Sequence, residues 1–218
     1  MVHDTYLVID FDSTFITIET IDELARISIG DDSSSIQKIK EITNMAMSGK
    51  IDFCDALSKR IKIITSTKNH INQLVNDIIS NHISPSFLEN KDFIKNHSDS
   101  IYIVSGGFRE VIEPVVSCFG ISANHVIANS FTYQNNRIVG YKTKNIMATK
   151  LGKVDAVKGL LLDGRVIAIG DGYTDYQIKE FGLANDFIAY TESVSRTNVI
   201  ANADFVASSF NEVIGYLK

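Results

Sequence analysis

The sequence predicts an α/β fold, a Rossmann-like parallel sheet core with an inserted helical-bundle cap, and three observations carry that expectation. Three short, nearly continuous apolar runs, residues 6–11, 101–104 and 166–169, have the length and composition of buried strands. Each gives way to carboxylates, hydroxyls or glycines, at Asp10-Phe11-Asp12-Ser13-Thr14, at Ser105-Gly106-Gly107 and at Gly170-Asp171-Gly172. Open α/β sheets place their sites at the carboxyl ends of parallel strands, so the same loops mark where chemistry is expected. The third observation is the long stretch between the first and second runs, which has helical character throughout.

In chain order, residues 21–29 form the first expected helix, and Gly30-Asp31-Asp32-Ser33-Ser34-Ser35 breaks it. Apolar positions return at Ile36, Ile39, Ile42, Met45 and Met47 until Gly49 stops them, and residues 53–64 and 71–79 continue as helices. Residues 16–82 are therefore expected as the cap, and residues 1–15 with 83–218 as the α/β core. On periodicity alone the methionines read as core filling. Residues 108–119 are expected as a helix on the sheet, with Pro114 opposing a straight one. Residues 126–133 and 138–141, joined by Gln134-Asn135-Asn136-Arg137, read as a hairpin. Residues 151–162 and 176–181 are expected helices, and 187–190 and 204–206 late strands.

Of the 218 residues, 44% are hydrophobic, enough for one substantial core and a smaller satellite. The 26 acidic and 21 basic residues give a net charge of -5, and Lys and Arg are not gathered into a block. A nucleic-acid surface needs concentrated positive charge, so that partner class is excluded. Cys54 and Cys118 lie far apart and form no ligand-spaced cluster, which predicts a reduced, cytoplasmic protein without structural zinc. No apolar run approaches the roughly 20 residues that span a bilayer, so no membrane partner is expected. The expected partner is a small molecule; the composition is compatible with a homo-oligomer and does not specify one.

Asp10 and Asp12 stand two residues apart at a strand exit, where a turn lets both converge on one ligand. A carboxylate becomes a usable nucleophile toward phosphorus when a divalent cation neutralises the phosphoryl charge and the line of attack is fixed. Asp12 could then protonate the leaving alkoxide and later take a proton from water. Magnesium takes hard oxygens and uses few protein carboxylates, so Asp10 and Asp171 suffice, with the main-chain carbonyl of Asp12 as a further ligand. Asp175 is expected behind them, orienting a ligand or water. The Ser105 hydroxyl and the N–H groups after it suit phosphoryl oxygens. The required cation is expected from Lys153, in the first turn of a helix, with Lys150 as the neighbouring alternative. Glu19 and Arg60 have opposite charges, as an amino-acid zwitterion requires of its partners, with Lys59 as an alternative to Arg60.

In this order the segments resemble the haloacid dehalogenase superfamily, whose pattern runs Asp-x-Asp-x-Thr, strand-end Ser or Thr, Lys, then Gly-Asp-x-x-x-Asp. Asp10, Asp12, Thr14, Ser105, Lys153, Asp171 and Asp175 meet it. Within the superfamily the chain most resembles the phosphoserine phosphatases, through Glu19-Thr20-Ile21-Asp22-Glu23-Leu24-Ala25 and Ser105-Gly106-Gly107-Phe108. The resemblance implies magnesium-dependent hydrolysis of O-phospho-L-serine in amino-acid biosynthesis. Asp10 would be the nucleophile, Asp12 the acid-base, Glu19 the ammonium contact and Arg60 the carboxylate contact. Met47 and Phe53 would line the pocket, and Gly106 would contribute its main chain. Thr174 stands where that family usually has asparagine, and threonine lacks the amide's reach and paired donors. Another small phosphomonoester, phosphoryl transfer to an alcohol, and a non-enzymatic phosphate-binding module are the alternatives.

Overall fold

Leu7, Val8 and Ile9 are almost wholly buried because β1 (Thr5–Ile9) lies inside a six-stranded parallel sheet. The computed structural model describes residues 5–30, 33–47 and 50–217. On one side β1 pairs with β2 (Ile101–Phe108), Leu7 opposite Ile101, and β2 pairs with β3 (Val126–Asn129). A separate antiparallel hairpin follows, β4 (Phe131–Gln134) and β5 (Arg137–Tyr141). The chain then crosses to β6 (Arg165–Gly170), with Ile9 opposite Ile169, and winds outward through β7 (Asp186–Tyr190) and β8 (Phe205–Ala207). The order β3-β2-β1-β6-β7-β8 reverses its winding between β1 and β6, which leaves a crevice at their carboxyl ends. Asp10 and Asp171 follow those two strands directly. Ser105 lies in the irregular end of β2, where the register with β3 shifts between Val104 and Phe108.

Period-two alternation divides the core. Leu7 and Ile9 enter one apolar cluster and Val8 the other, as expected for a sheet covered on both faces. Between β1 and β2 stand α1 (Thr20–Ile29), α2 (Ser33–Met47), α3 (Phe53–Ile63) and α4 (Lys68–Asp77). Each turns a helical-spaced apolar stripe inward: Ile21, Leu24 and Ala25; Ile39 and Ile42; Leu57 and Ile61; Ile71 and Leu74. The chain leaves for these helices and returns along one path, since Ile16 pairs antiparallel with Ile83 and Thr17 N–H donates to His82 O at 2.9 Å. After α5 (Pro85–Glu89) and α6 (Lys91–Asn96), the sheet is covered by α7 (Arg109–Ser117), α8 (Gly152–Leu160), α9 (Tyr173–Glu180), α10 (Thr197–Ile200) and α11 (Phe210–Tyr216). Among the described residues no helix is long and apolar enough to cross a membrane.

The architecture is the expected α/β class, and three local expectations need correction. The expected hairpin arm over residues 126–133 is two strands. Val126–Asn129 stays in the main sheet, where buried Asn129 donates from Nδ2 to Gly106 O at 2.9 Å, and only Phe131 onward turns away. The hairpin also binds the link between α3 and α4, through Ile138 N–H to Ser66 O at 2.9 Å. The helix expected from residue 108 starts at Arg109, because Phe108 is still paired with Asn129. The helix expected from residue 176 starts at Tyr173, because Asp175 in its first turn accepts the Gly172 N–H at 3.1 Å and caps it.

Candidate active site

The Asp10 N–H donates to Ile169 O at 2.9 Å, tying the end of β1 to β6. A wide turn follows: Asp12 stays extended, Ser13 is left-handed with φ 55°, and Ile16 N–H closes on Phe11 O at 3.1 Å. Left-handed backbone at a residue other than glycine costs on the order of 1–3 kcal/mol. Here it is held by Ser13 N–H to Ile18 O at 3.1 Å and Ser13 Oγ to Glu19 Oε1 at 2.7 Å. The turn carries Asp10 and Asp12 into one pocket and delivers Glu19 beside them.

Asp12 sits under the first turn of α1, where Thr20 N–H donates to Oδ1 at 3.3 Å and Thr20 Oγ1 to Oδ2 at 3.0 Å. Burial, with the charges of Glu19 and Asp10 adding, pushes its carboxyl well above the usual range despite those bonds. Asp12 is therefore disposed to hold a proton beside Asp10. Burial also raises Glu19, and the Ser13 hydroxyl and the charges of Arg60 and Arg196 pull it back.

Across the crevice, Gly170 is required by packing, since a Cβ there would lie 2.2 Å from Asp175 Cγ. Lys153, 8% exposed, places Nζ 2.9 Å from Asp10 Oδ2 and 2.6 Å from Asp175 Oδ1. Burial alone would lower its pKa, but the two carboxylates raise it, so the ammonium stays charged. Burial and Asp10 push Asp175 up, and Lys153 opposes them. Asp10, Asp171 and Asp175 each offer a carboxylate oxygen within 4.8 Å of the others, all buried. Three hard oxygens gathered in this way suit a divalent cation. Asp171 Oδ1 accepts from Thr14 Oγ1 at 3.3 Å and its Oδ2 lies against the Arg196 guanidinium, and Asp175 gives one oxygen to Lys153 and the other to Gly172 N–H. The Asp12 carboxylate faces Thr20 and stands outside this trio.

Asp10, Asp12, Glu19, Arg60, Ser105, Gly106, Lys153 and Thr174 line one pocket. Ser105 is buried and its Oγ accepts the Gly107 N–H at 3.1 Å. Lys150 and Lys59 are exposed, unlike Lys153 and Arg60. The side chains of Met47 and Phe53 lie outside the described ones. Sequence reasoning missed Arg196, whose Nη1 is in ion-pair contact with Asp171 Oδ2 and whose Nη2 lies 4.0 Å from Glu19 Oε1. It follows β7, and the rule that sites gather at carboxyl ends of strands could have pointed to that loop.

The sequence model of the haloacid dehalogenase-like hydrolases matches residues 7–179. The chain belongs to that family. Human phosphoserine phosphatase is 32% identical over 214 residues, covering 96% of this chain and 91% of that protein. Chloroplastic phosphoserine phosphatase of Arabidopsis thaliana is 31% identical over 213 residues, covering 95% and 70%. The crystal structure of a phosphoserine phosphohydrolase-like protein from Francisella tularensis is similar with TM-score 0.89 and 33% identity, covering 98% of this chain and 100% of that one. As a haloacid dehalogenase-like hydrolase, the protein has a phosphatase-type site for a phosphomonoester and a buried acidic trio able to hold a divalent cation.

Proposed function

We propose that this hydrolase converts O-phospho-L-serine to L-serine and phosphate through an aspartyl-phosphate on Asp10, with magnesium as cofactor. The observation that carries the reading is the single pocket in which Asp10, Asp12, Ser105 and Lys153 meet the oppositely charged Glu19 and Arg60. An amino-acid phosphoester needs a phosphoryl site and partners for both ends of a zwitterion. Similarity to phosphoserine phosphatases along nearly the whole chain supports the same substrate.

In the proposed cycle an Asp10 oxygen attacks phosphorus, the bond from phosphorus to the serine oxygen breaks, and Asp12 gives that oxygen its proton. Asp12, now ionised, takes a proton from water as the water attacks phosphorus, which frees Asp10 and inorganic phosphate. Ser105 Oγ and the Gly106 N–H receive phosphoryl oxygens, and Lys153 adds a fixed charge. Magnesium, held by Asp10 and Asp171 with Asp175 behind them, would neutralise phosphoryl charge and fix the line of attack. Glu19 takes the ammonium, Arg60 takes the carboxylate, and Thr174 lines the substrate side.

Small phosphate esters assayed with and without magnesium test the reading. Phosphoserine should be hydrolysed fastest, magnesium should be required, and calcium, with its larger and looser shell, should fail to replace it. Full activity in excess chelator, with no bound metal by elemental analysis, removes the cation. A phosphorylated alcohol formed when homoserine is supplied would indicate transfer instead of hydrolysis.

Arg60→Ala tests the substrate assignment. Loss of a charge-assisted contact to the carboxylate should lower kcat/KM for phosphoserine by roughly 30- to 1000-fold, and for an aryl phosphate by less than about threefold. Folding is checked by circular dichroism. Equal losses would move Arg60 to the phosphoryl site or to cap stability. No loss on either would point to a substrate that is not an amino acid.

A further inference from the structure

Arg60 is held from behind by a hydroxyl. Arg60, on α3, is 4% exposed, and its Nη1 lies 3.1 Å from Oγ1 of Thr43 on α2, itself 2% exposed. Arginine only donates, so Thr43 Oγ1 accepts this bond and has one proton left to give. Two acceptors are in reach: Asp22 Oδ1 on α1 at 2.7 Å and Ile39 O at 3.1 Å. The nearer acceptor is a carboxylate and makes the stronger bond. Donation therefore runs one way, from Arg60 to Thr43 to Asp22, across three helices.

The relay leaves Arg60 fixed and still available. A direct ion pair with Asp22 would compete with an incoming carboxylate, whereas the interposed hydroxyl lets Asp22 act on Arg60 without occupying its fork. Among the described residues Nε is buried with no hydrogen-bond partner, although Arg60 lines the substrate pocket. A buried donor left unpaired is costly, so the side chain is arranged for an acceptor. Nη1 already donates to Thr43, whereas Nε donates to no acceptor among the described residues, so the edge formed by Nε and Nη2 offers a carboxylate two parallel bonds.

We infer that Thr43, backed by Asp22, is a positioning residue that presents the Nε edge of Arg60 to the substrate carboxylate and so sets selectivity for carboxylate-bearing phosphomonoesters. The inference rests on the phosphoserine reading. The test compares parent, Thr43→Val, Thr43→Ser and Arg60→Ala on O-phospho-L-serine and on phosphoethanolamine, which lacks only the carboxylate. Valine keeps the shape and loses the hydroxyl, and serine keeps the hydroxyl.

Thr43→Val should raise KM for phosphoserine about tenfold with kcat within about threefold, and cut the preference over phosphoethanolamine by a similar factor. Thr43→Ser should recover KM to within about threefold of the parent. Equal KM losses in the valine and serine variants, tracking a fall in thermal midpoint, would make Thr43 a packing residue and overturn the inference. A parental KM in Thr43→Val, with selectivity lost in Arg60→Ala, would overturn it while leaving the phosphoserine reading standing. If the parent does not favour phosphoserine and Arg60→Ala changes nothing, both fall.

Discussion

Asp10→Asn should lower turnover of phosphoserine and aryl phosphate alike by at least about 10⁴-fold, a barrier increase of about 5.5 kcal/mol. The amide preserves the shape at the end of β1 and can still accept from the Phe11 N–H, as Asp10 Oδ1 does at 2.7 Å. It loses the nucleophile. Lys153 keeps its bond to Asp175 at 2.6 Å, so the phosphoryl site should stay assembled and inorganic phosphate should still protect against thermal unfolding. Acid quenching of the parent during turnover of radiolabelled substrate should trap phosphate on the protein, and the variant should trap none. Turnover within tenfold of the parent would assign the nucleophile elsewhere.

For Asp12→Asn the expected loss with phosphoserine is about 10² to 10⁴, the usual worth of a positioned acid-base group. Its signature is the dependence on leaving group. An alkoxide needs a proton to depart and a nitrophenolate does not, so with an aryl phosphate the first step should survive and the second should stall for want of a base. Rapid mixing should show a burst of nitrophenolate close to one equivalent, followed by slow turnover. Burst rates reduced as much for the aryl ester as turnover is for the alkyl ester would take the acid role from Asp12. The prediction follows from geometry, because burial beside Asp10 and Glu19 holds Asp12 toward its protonated form while Thr20 keeps it close to the nucleophile.

The parallel core and the candidate acids were legible in the chain because their signals are local. Residues 6–9 are apolar up to Asp10, residues 166–169 up to Gly170-Asp171, and alternation along β1 divides Leu7 and Ile9 from Val8 between the two faces. A strand exit, a glycine that cannot take a Cβ, and an acid in the first turn of a helix are each written within a few residues. The same locality explains the misjudged hairpin. Residues 126–129 and 131–134 are both strand-like, and nothing nearby in sequence tells the first to pair with β2 and the second with β5.

Choices between equivalent neighbours were beyond that reach. Lys153 over Lys150 and Arg60 over Lys59 depend on which side chain is buried against a carboxylate or hydroxyl from a distant segment, and no composition rule separates them. Arg196 meets Asp171 and Glu19 from the loop after β7, and Thr43 meets Arg60 and Asp22 from two other helices. Charge and hydrogen-bonding capacity belong to a residue wherever it stands in the chain. Desolvation and partner geometry arise when segments separated by tens of residues pack together, and here they select the side chains that face the pocket.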